Sequence, residues 1–149
     1  MPVSFNLMGT AILKIMKILF ICRQNVGRSQ AAMELYRQKG GEADSAGTTV
    51  DTPETTLAER PGAINIVQVI KEDYGVDMNS NVRKQLTASM AEAYDQLIVM
   101  AESETWPEWL RDDTRAVYWN IEDPKGQDID TTRRIVKEIE AKINSEFSF

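Results

Sequence analysis

The residues best equipped for covalent chemistry lie in one octapeptide, Cys22-Arg23-Gln24-Asn25-Val26-Gly27-Arg28-Ser29. Cys22 is the only cysteine of the chain, and the thiolate form of such a side chain is the nucleophile. A loop running from a strand into a helix N-terminus gathers backbone N–H groups around one concavity, and the helix dipole adds positive potential there. That field favours thiolate over thiol at its base. Arg28 offers two parallel N–H donors matched to the oxygens of a tetrahedral oxyanion. Gly27 is read as giving the backbone freedom for a tight turn, and Ser29 as donating a hydrogen bond to the sulfur. A lone cysteine ending a buried strand is ordinarily a small core residue. Arginine and serine six and seven residues later, between a strand and a helix, point instead to thiolate attack on a bound oxyanion.

Composition narrows what else the chain can do. It has 149 residues and no histidine, which excludes Ser-His and Cys-His pairs and an imidazole metal cage. One cysteine excludes an internal disulfide, a Cys-pair metal site and a resolving thiol, and places the expected compartment in the reducing cytoplasm. Carboxylates, arginines, backbone amides and one thiol remain. The net charge of −6 makes a nucleic-acid partner unexpected. Basic residues nevertheless concentrate at Lys14, Lys17, Arg23, Arg28, Arg37 and Lys39, against the single acid Glu34 in that stretch.

The elements that must position the octapeptide alternate between strand and helix. Ile18 to Cys22 reads as a buried parallel strand, followed by a helix carrying Ala31, Ala32, Leu35 and Tyr36 and stopped at Gly40-Gly41. Ala43 to Ser45, Leu97 to Met100 and Ala116 to Trp119 read as further strands. Residues 47–60 read as a loop. Pro61 opens a helix whose stripe is Ala63, Ile66, Val67, Ile70 and Tyr74, ending at Gly75, and Asp130 to Asn144 forms the last helix. Such alternation predicts an α/β domain with a parallel sheet, right-handed crossovers and a ligand site at the strands' carboxyl ends. The expected domain spans residues 16–149. Residues 1–15 are expected to be an extension, disordered or laid along the sheet edge. The apolar run at Ile18 to Ile21 is too short and too closely flanked by lysines to span a membrane.

The octapeptide in this setting resembles the phosphate loop, Cys-x5-Arg-Ser, of the low-molecular-weight protein-tyrosine phosphatase family and its thiol-dependent arsenate reductase relatives. The resemblance covers most of the chain from Met16 onward. Asp44-Ser45-Ala46-Gly47-Thr48 resembles the family's second-strand motif, whose serine bonds the loop asparagine; by match these are Ser45 and Asn25. Trp119-Asn120-Ile121-Glu122-Asp123-Pro124 resembles the late Asp-Pro loop that supplies a general acid, here Asp123.

What the resemblance implies is a single-domain three-layer α/β sandwich. A four-stranded parallel sheet carries helices on both faces, with the phosphate-binding loop after its first strand. It implies phosphomonoester hydrolysis of the phosphotyrosine type through a phosphocysteine, with Cys22, Arg28 and Asp123 catalytic and no metal or other cofactor. Arg23, Gln24, Asn25, Val26, Gly27, Ser29 and Ser45 bind phosphate or support the loop. Expected partners are a phosphorylated protein or a small phosphate ester, and phosphate- or arsenate-like oxyanions.

Several residues depart from that pattern. Lys125-Gly126 stand where family phosphatases place aromatics around a phenol, and Arg23 stands where an apolar residue is usual; Trp106 and Trp109 are candidates to rebuild the aromatic wall, although core or surface packing is the commoner fate of such a pair. Tyr74, Tyr94 and Tyr118 read as structural. Asn25-Val26-Gly27-Arg28-Ser29-Gln30 looks more like the arsenate reductases, yet Met100 to Pro107 contains no cysteine. Reduction therefore requires an external small-molecule thiol. A phosphocysteine carrier or anion-binding module is the third reading, and the presence of Asp123 argues against it.

Overall fold

The computed structural model describes the backbone of residues 4–8 and 11–149 and the side chains of residues 16–149. The extension expected over residues 1–15 lies partly outside the described residues. Within it, β1 (Ser4–Met8) and β2 (Ala11–Ile15) pair antiparallel as a two-stranded sheet of their own.

The main sheet comprises β3 (Lys17–Cys22), β4 (Glu42–Gly47), β5 (Gln96–Val99) and β6 (Ala116–Tyr118). All its pairings are parallel and the order is β4-β3-β5-β6. The helices are α1 (Arg28–Gln38), α2 (Ile64–Tyr74), α3 (Ala88–Ala91), α4 (Glu108–Arg111) and α5 (Ile129–Glu146). Ile18 and Phe20 of the central strand join the core formed with α1, α2 and α5, whereas Leu19 and Ile21 join the core with α3 and α4. Burial on both faces explains why β3 reads as an unbroken apolar run. The result is the expected three-layer α/β sandwich.

Some boundaries differ from the sequence reading. Pro61–Ala63 form a 3-10 turn, and the α-helix begins at Ile64. Its buried positions are Ile66, Val69 and Ile70 rather than Val67, as spacings of three and four from Ile66 require. Gly75 ends it with φ of 73°, a left-handed cap suited to glycine. Helix α5 begins one residue early because Asp128 caps it, accepting from the Thr131 amide at 2.8 Å. Among the described residues no helix is long and apolar enough to cross a membrane.

The chain leaves β3 toward β4 on one side and pairs with β5 on the other, so the strand order reverses at β3. A crevice opens at the carboxyl end of a strand so placed. Cys22 is the last residue of that strand.

Candidate active site

The loop from Cys22 to Ser29 turns its carbonyls outward. Thr48 and Thr49 donate their amides to the Cys22 and Arg23 carbonyls, each at 2.8 Å. Arg83 reaches the Gln24 carbonyl through Nε at 3.2 Å and Nη2 at 3.1 Å. Gln30 Nε2 approaches the Asn25 carbonyl at 3.3 Å, and the Ala31 amide donates to the Gly27 carbonyl at 3.0 Å. With these acceptors satisfied outside, the amides of residues 23–27 donate to no protein acceptor among the described residues. Unpaired amides gathered above a helix N-terminus make an oxyanion cradle.

Asn25 holds the turn. Its φ of 56° lies in the left-handed region, which asparagine enters more easily than most residues. Asn25 Nδ2 donates to Ser29 Oγ at 2.8 Å and Ser45 Oγ at 2.9 Å, while Oδ1 accepts from the Lys84 amide at 2.8 Å and Gln30 Nε2 at 3.2 Å. Ser29 Oγ lies 3.0 Å from Cys22 Sγ. A thiolate can only accept, so against that form Ser29 donates its hydroxyl proton.

The glycine of the loop has a different task from the one expected. Gly27 has φ of −102°, an ordinary value for any residue. A Cβ there would sit 2.9 Å from Pro124 Cγ, so the residue is small because the Asp-Pro loop packs on it. Gly47 likewise has no room for a side chain, since a Cβ would meet the Arg23 carbonyl at 2.6 Å and the Asn25 amide at 2.8 Å.

Arg28 is almost wholly buried, with 3% of its side chain exposed. Its Nη1 donates to the Met100 carbonyl at 2.6 Å, Glu102 Oε2 at 3.0 Å and the Ile121 carbonyl at 3.2 Å. Nη2 lies 3.6 Å from Asp123 Oδ2. Burial disfavours the guanidinium charge. The negative charge at Cys22, the Glu102 hydrogen bond and the Asp123 charge outweigh it, leaving the pKa raised. At Glu102 burial pushes the pKa up, but donation from Arg28 wins and holds the carboxyl below its ordinary value.

A folded-state carboxylate pKa below the unfolded value stabilises the fold above the unfolded value. The contribution disappears as pH falls through the folded value. Glu102→Gln mimics the protonated side chain, so its melting temperature is expected to lie below wild type at neutral pH. The gap should close on acidification below the ordinary glutamate range, as thermal unfolding across pH will show; a gap independent of pH would contradict the assignment.

A pocket of about 380 Å³ opens over the loop. Cys22, Gln24, Val26, Gly27 and Arg28 line its floor; residues 60–62 and 64–66 form one wall, and Asp123 to Gln127 another. Asp123, 45% exposed, accepts the Lys125 amide at 2.9 Å. Pro124 to Gln127 close a turn through a 3.0 Å hydrogen bond with Gly126 at φ 75°, so glycine is the residue this corner favours. The structure thus brings Cys22, Gln24, Val26, Gly27, Arg28 and Asp123 into one pocket, with Asn25, Ser29 and Ser45 bonded behind it. Arg23 is exposed and does not line the pocket; only its carbonyl anchors the loop.

No aromatic side chain lines the pocket among the described residues. Trp106 and Trp109 pack against the core on the α3–α4 face, and Trp106 Nε1 donates to the Ala101 carbonyl at 3.0 Å. They are not a pocket wall. Tyr74 bonds Glu140 and Tyr94 bonds Asp44, while Tyr118 is 51% exposed.

Sequence reasoning missed Arg83, Glu102, Asp51 and Arg60. Arg83 has no exposed side-chain surface, yet Val82-Arg83-Lys84 looks like a surface stretch in the sequence. Glu102 carries no motif of its own. One available signal was its place just beyond a predicted strand, at the carboxyl edge where ligands bind. Gln30, read only as a reductase-like feature, supports Asn25 and takes a 3.1 Å hydrogen bond from Asn81.

Residues 17–147 match the family model for low molecular weight phosphotyrosine protein phosphatase. No curated protein matches the chain. Among solved structures, the low molecular weight protein tyrosine phosphatase of T. tengcongensis superposes with a TM-score of 0.71 at 23% identity, covering 87% of this chain and 95% of that one. The YwlE arginine phosphatase of Geobacillus stearothermophilus gives 0.70 at 24% identity, covering 87% and 88%. An arsenate reductase in the phosphate-binding state gives 0.71 at 20% identity, covering 88% and 95%. At these identities the structural likenesses establish the fold.

Proposed function

Because the chain belongs to the low molecular weight phosphotyrosine protein phosphatase family, we propose that it hydrolyses phosphate monoesters through a phosphocysteine formed on Cys22. The observation that carries this reading is the convergence of Cys22, Arg28 and Asp123 in one pocket over the outward-bonded loop.

The Cys22 thiolate attacks phosphorus in line; the P–S bond forms as the P–O bond to the leaving group breaks. Arg28 and the free amides hold the equatorial oxygens, whose charge and spread change most in the transition state. Asp123 gives its proton to the departing oxygen. As a carboxylate it then takes a proton from the water that attacks the phosphocysteine. That second step breaks the P–S bond, frees phosphate and returns the thiolate, which Ser29 stabilises as a leaving group.

Hydrolysis of phenyl phosphate, with rapid-quench trapping of protein-bound phosphate in alkaline denaturant, tests the proposal. Absence of turnover and of trapped phosphate would overturn it. Asp123→Asn is expected to lower kcat/KM for phenyl phosphate by about 10²–10³. The loss should be smaller for 4-nitrophenyl phosphate, whose leaving group needs less proton transfer. Equal losses for both esters would remove Asp123 from the role of acid.

Reduction of arsenate remains a second use of the same loop. A sole cysteine leaves it dependent on an external thiol, and arsenate-dependent consumption of added glutathione, mycothiol or bacillithiol is its test. Cytoplasmic residence follows from the same cysteine usage as part of this proposal.

A further inference from the structure

The pocket carries a cationic wall that the hydrolytic steps do not use. Arg60 lines it, and its side chain is 23% exposed. Arg60 Nη1 donates to both oxygens of Asp51, at 2.8 and 2.7 Å. Asp51 is held in turn by the fully buried Arg83, through Nη2 at 2.9 Å. Gln24 on the pocket floor accepts the Asp51 amide at 3.1 Å. Hydrogen bonds from Arg60 and then Arg83 hold the Asp51 carboxyl far below its ordinary value.

Two guanidiniums share that one carboxylate, and of the two only Arg60 lines the pocket. The donors on Arg60 Nε and Nη2 bond no protein acceptor among the described residues. Lys125 lines the facing wall and forms no ion pair among the described residues. Its backbone is fixed by the Asp123 carboxylate. Pro61, Ile64 and Pro124, rather than aromatic side chains, line the same pocket. A chain of net charge −6 repels anions at long range, so attraction at this mouth acts through contact.

We propose that Arg60, clamped by Asp51 and assisted by Lys125, is a subsite for a second anionic group on the leaving group, so that the preferred substrates are phosphate monoesters bearing an additional carboxylate or phosphate. The inference rests on the hydrolytic reading for its consequence in turnover, but not for its consequence in binding. Orienting a planar guanidinium with a carboxylate leaves its remaining fork fixed for another oxyanion, which lowers the ordering cost of binding.

The test compares phenyl phosphate, 3-carboxyphenyl phosphate and 1,3-phenylene bisphosphate with wild type, Arg60→Gln and Arg60→Lys. Arg60→Gln is expected to reduce the preference for the doubly anionic esters, relative to phenyl phosphate, by about tenfold in kcat/KM. The change should appear in KM rather than kcat, and Arg60→Lys should retain part of the preference. Comparing ratios between proteins cancels the intrinsic reactivity of each ester. The carboxylate and bisphosphate arms distinguish which second anion the wall accepts. The corresponding phosphonates, titrated calorimetrically into Cys22→Ser protein with and without Arg60→Gln, read the same preference without turnover. No preference in the wild-type pocket, or parallel changes for all ligands, overturns the subsite. Preferential phosphonate binding without hydrolysis supports it and overturns the hydrolytic reading instead.

Discussion

Replacing Cys22 by serine lowers phenyl phosphate hydrolysis by an expected factor of about 10⁴ or more, while leaving a folded protein that still binds phosphate. A serine hydroxyl is protonated at neutral pH, and the chain has no histidine to deprotonate it. Ser29, at 3.0 Å, is arranged to donate to a sulfur anion, which makes it a poor base for a neutral hydroxyl. Oxygen is also a worse leaving group than sulfur when water must break the second intermediate. Cys22 is 3% exposed and sits beside polar Ser29, so the smaller hydroxyl has an adjacent partner and costs little stability. Steady-state kinetics, a thermal melt and vanadate binding together check the prediction. Activity within tenfold of wild type would exclude Cys22 as the nucleophile.

Arg28→Lys is expected to be the next most damaging change, lowering kcat by about 10³. The substitution keeps a positive charge but removes the planar fork. Three acceptors, the Met100 and Ile121 carbonyls and Glu102, orient Nη1, while Nη2 faces Glu102 Oε1 at 3.5 Å and Asp123 Oδ2 at 3.6 Å, so a bound phosphate takes Nε and shares Nη2 with those carboxylates. A lysine ammonium satisfying those same acceptors has little remaining directionality toward phosphate oxygens. The loss should fall mainly on kcat, because the oxygens carry their transition-state geometry where a second fixed donor matters most. Stability should fall as well, since the chain segments beyond β5 and β6 meet on this side chain. A lysine variant retaining kcat within fivefold would show that charge alone suffices. Inhibition by inorganic phosphate gives the matching ground-state comparison.

The readable part of this site was local. Cys22 to Ser29 carries its chemistry within one loop, and a buried strand leaves an apolar run that needs no neighbour to identify it. Asp123 was picked out by the resemblance of Trp119 to Pro124 to a family loop, since Asp-Pro by itself is an ordinary turn dipeptide. The clamps were hidden because their effect depends on distant backbone. Arg83 acts only where it meets the Gln24 carbonyl, and Glu102 only where β5 brings it to Arg28. Glycine was misread for a related reason. Composition shows that Gly27 lacks a side chain, but only packing shows that Pro124 occupies the space, while Asn25 takes the left-handed turn. Trp106 and Trp109 meet the commoner fate of aromatic pairs, packing on the core rather than walling the pocket.

The order in which the chain supplies these clamps has a consequence for synthesis. The octapeptide leaves the ribosome early, but the groups that bond it outward or orient its arginine lie at Arg83, Met100, Glu102 and Ile121. A nascent chain ending before Ile121 holds the thiol without its completed oxyanion cradle. The Arg28 guanidinium is therefore fully oriented only once the far edge of the sheet has closed, so truncated translation products carry the thiol without its oriented arginine.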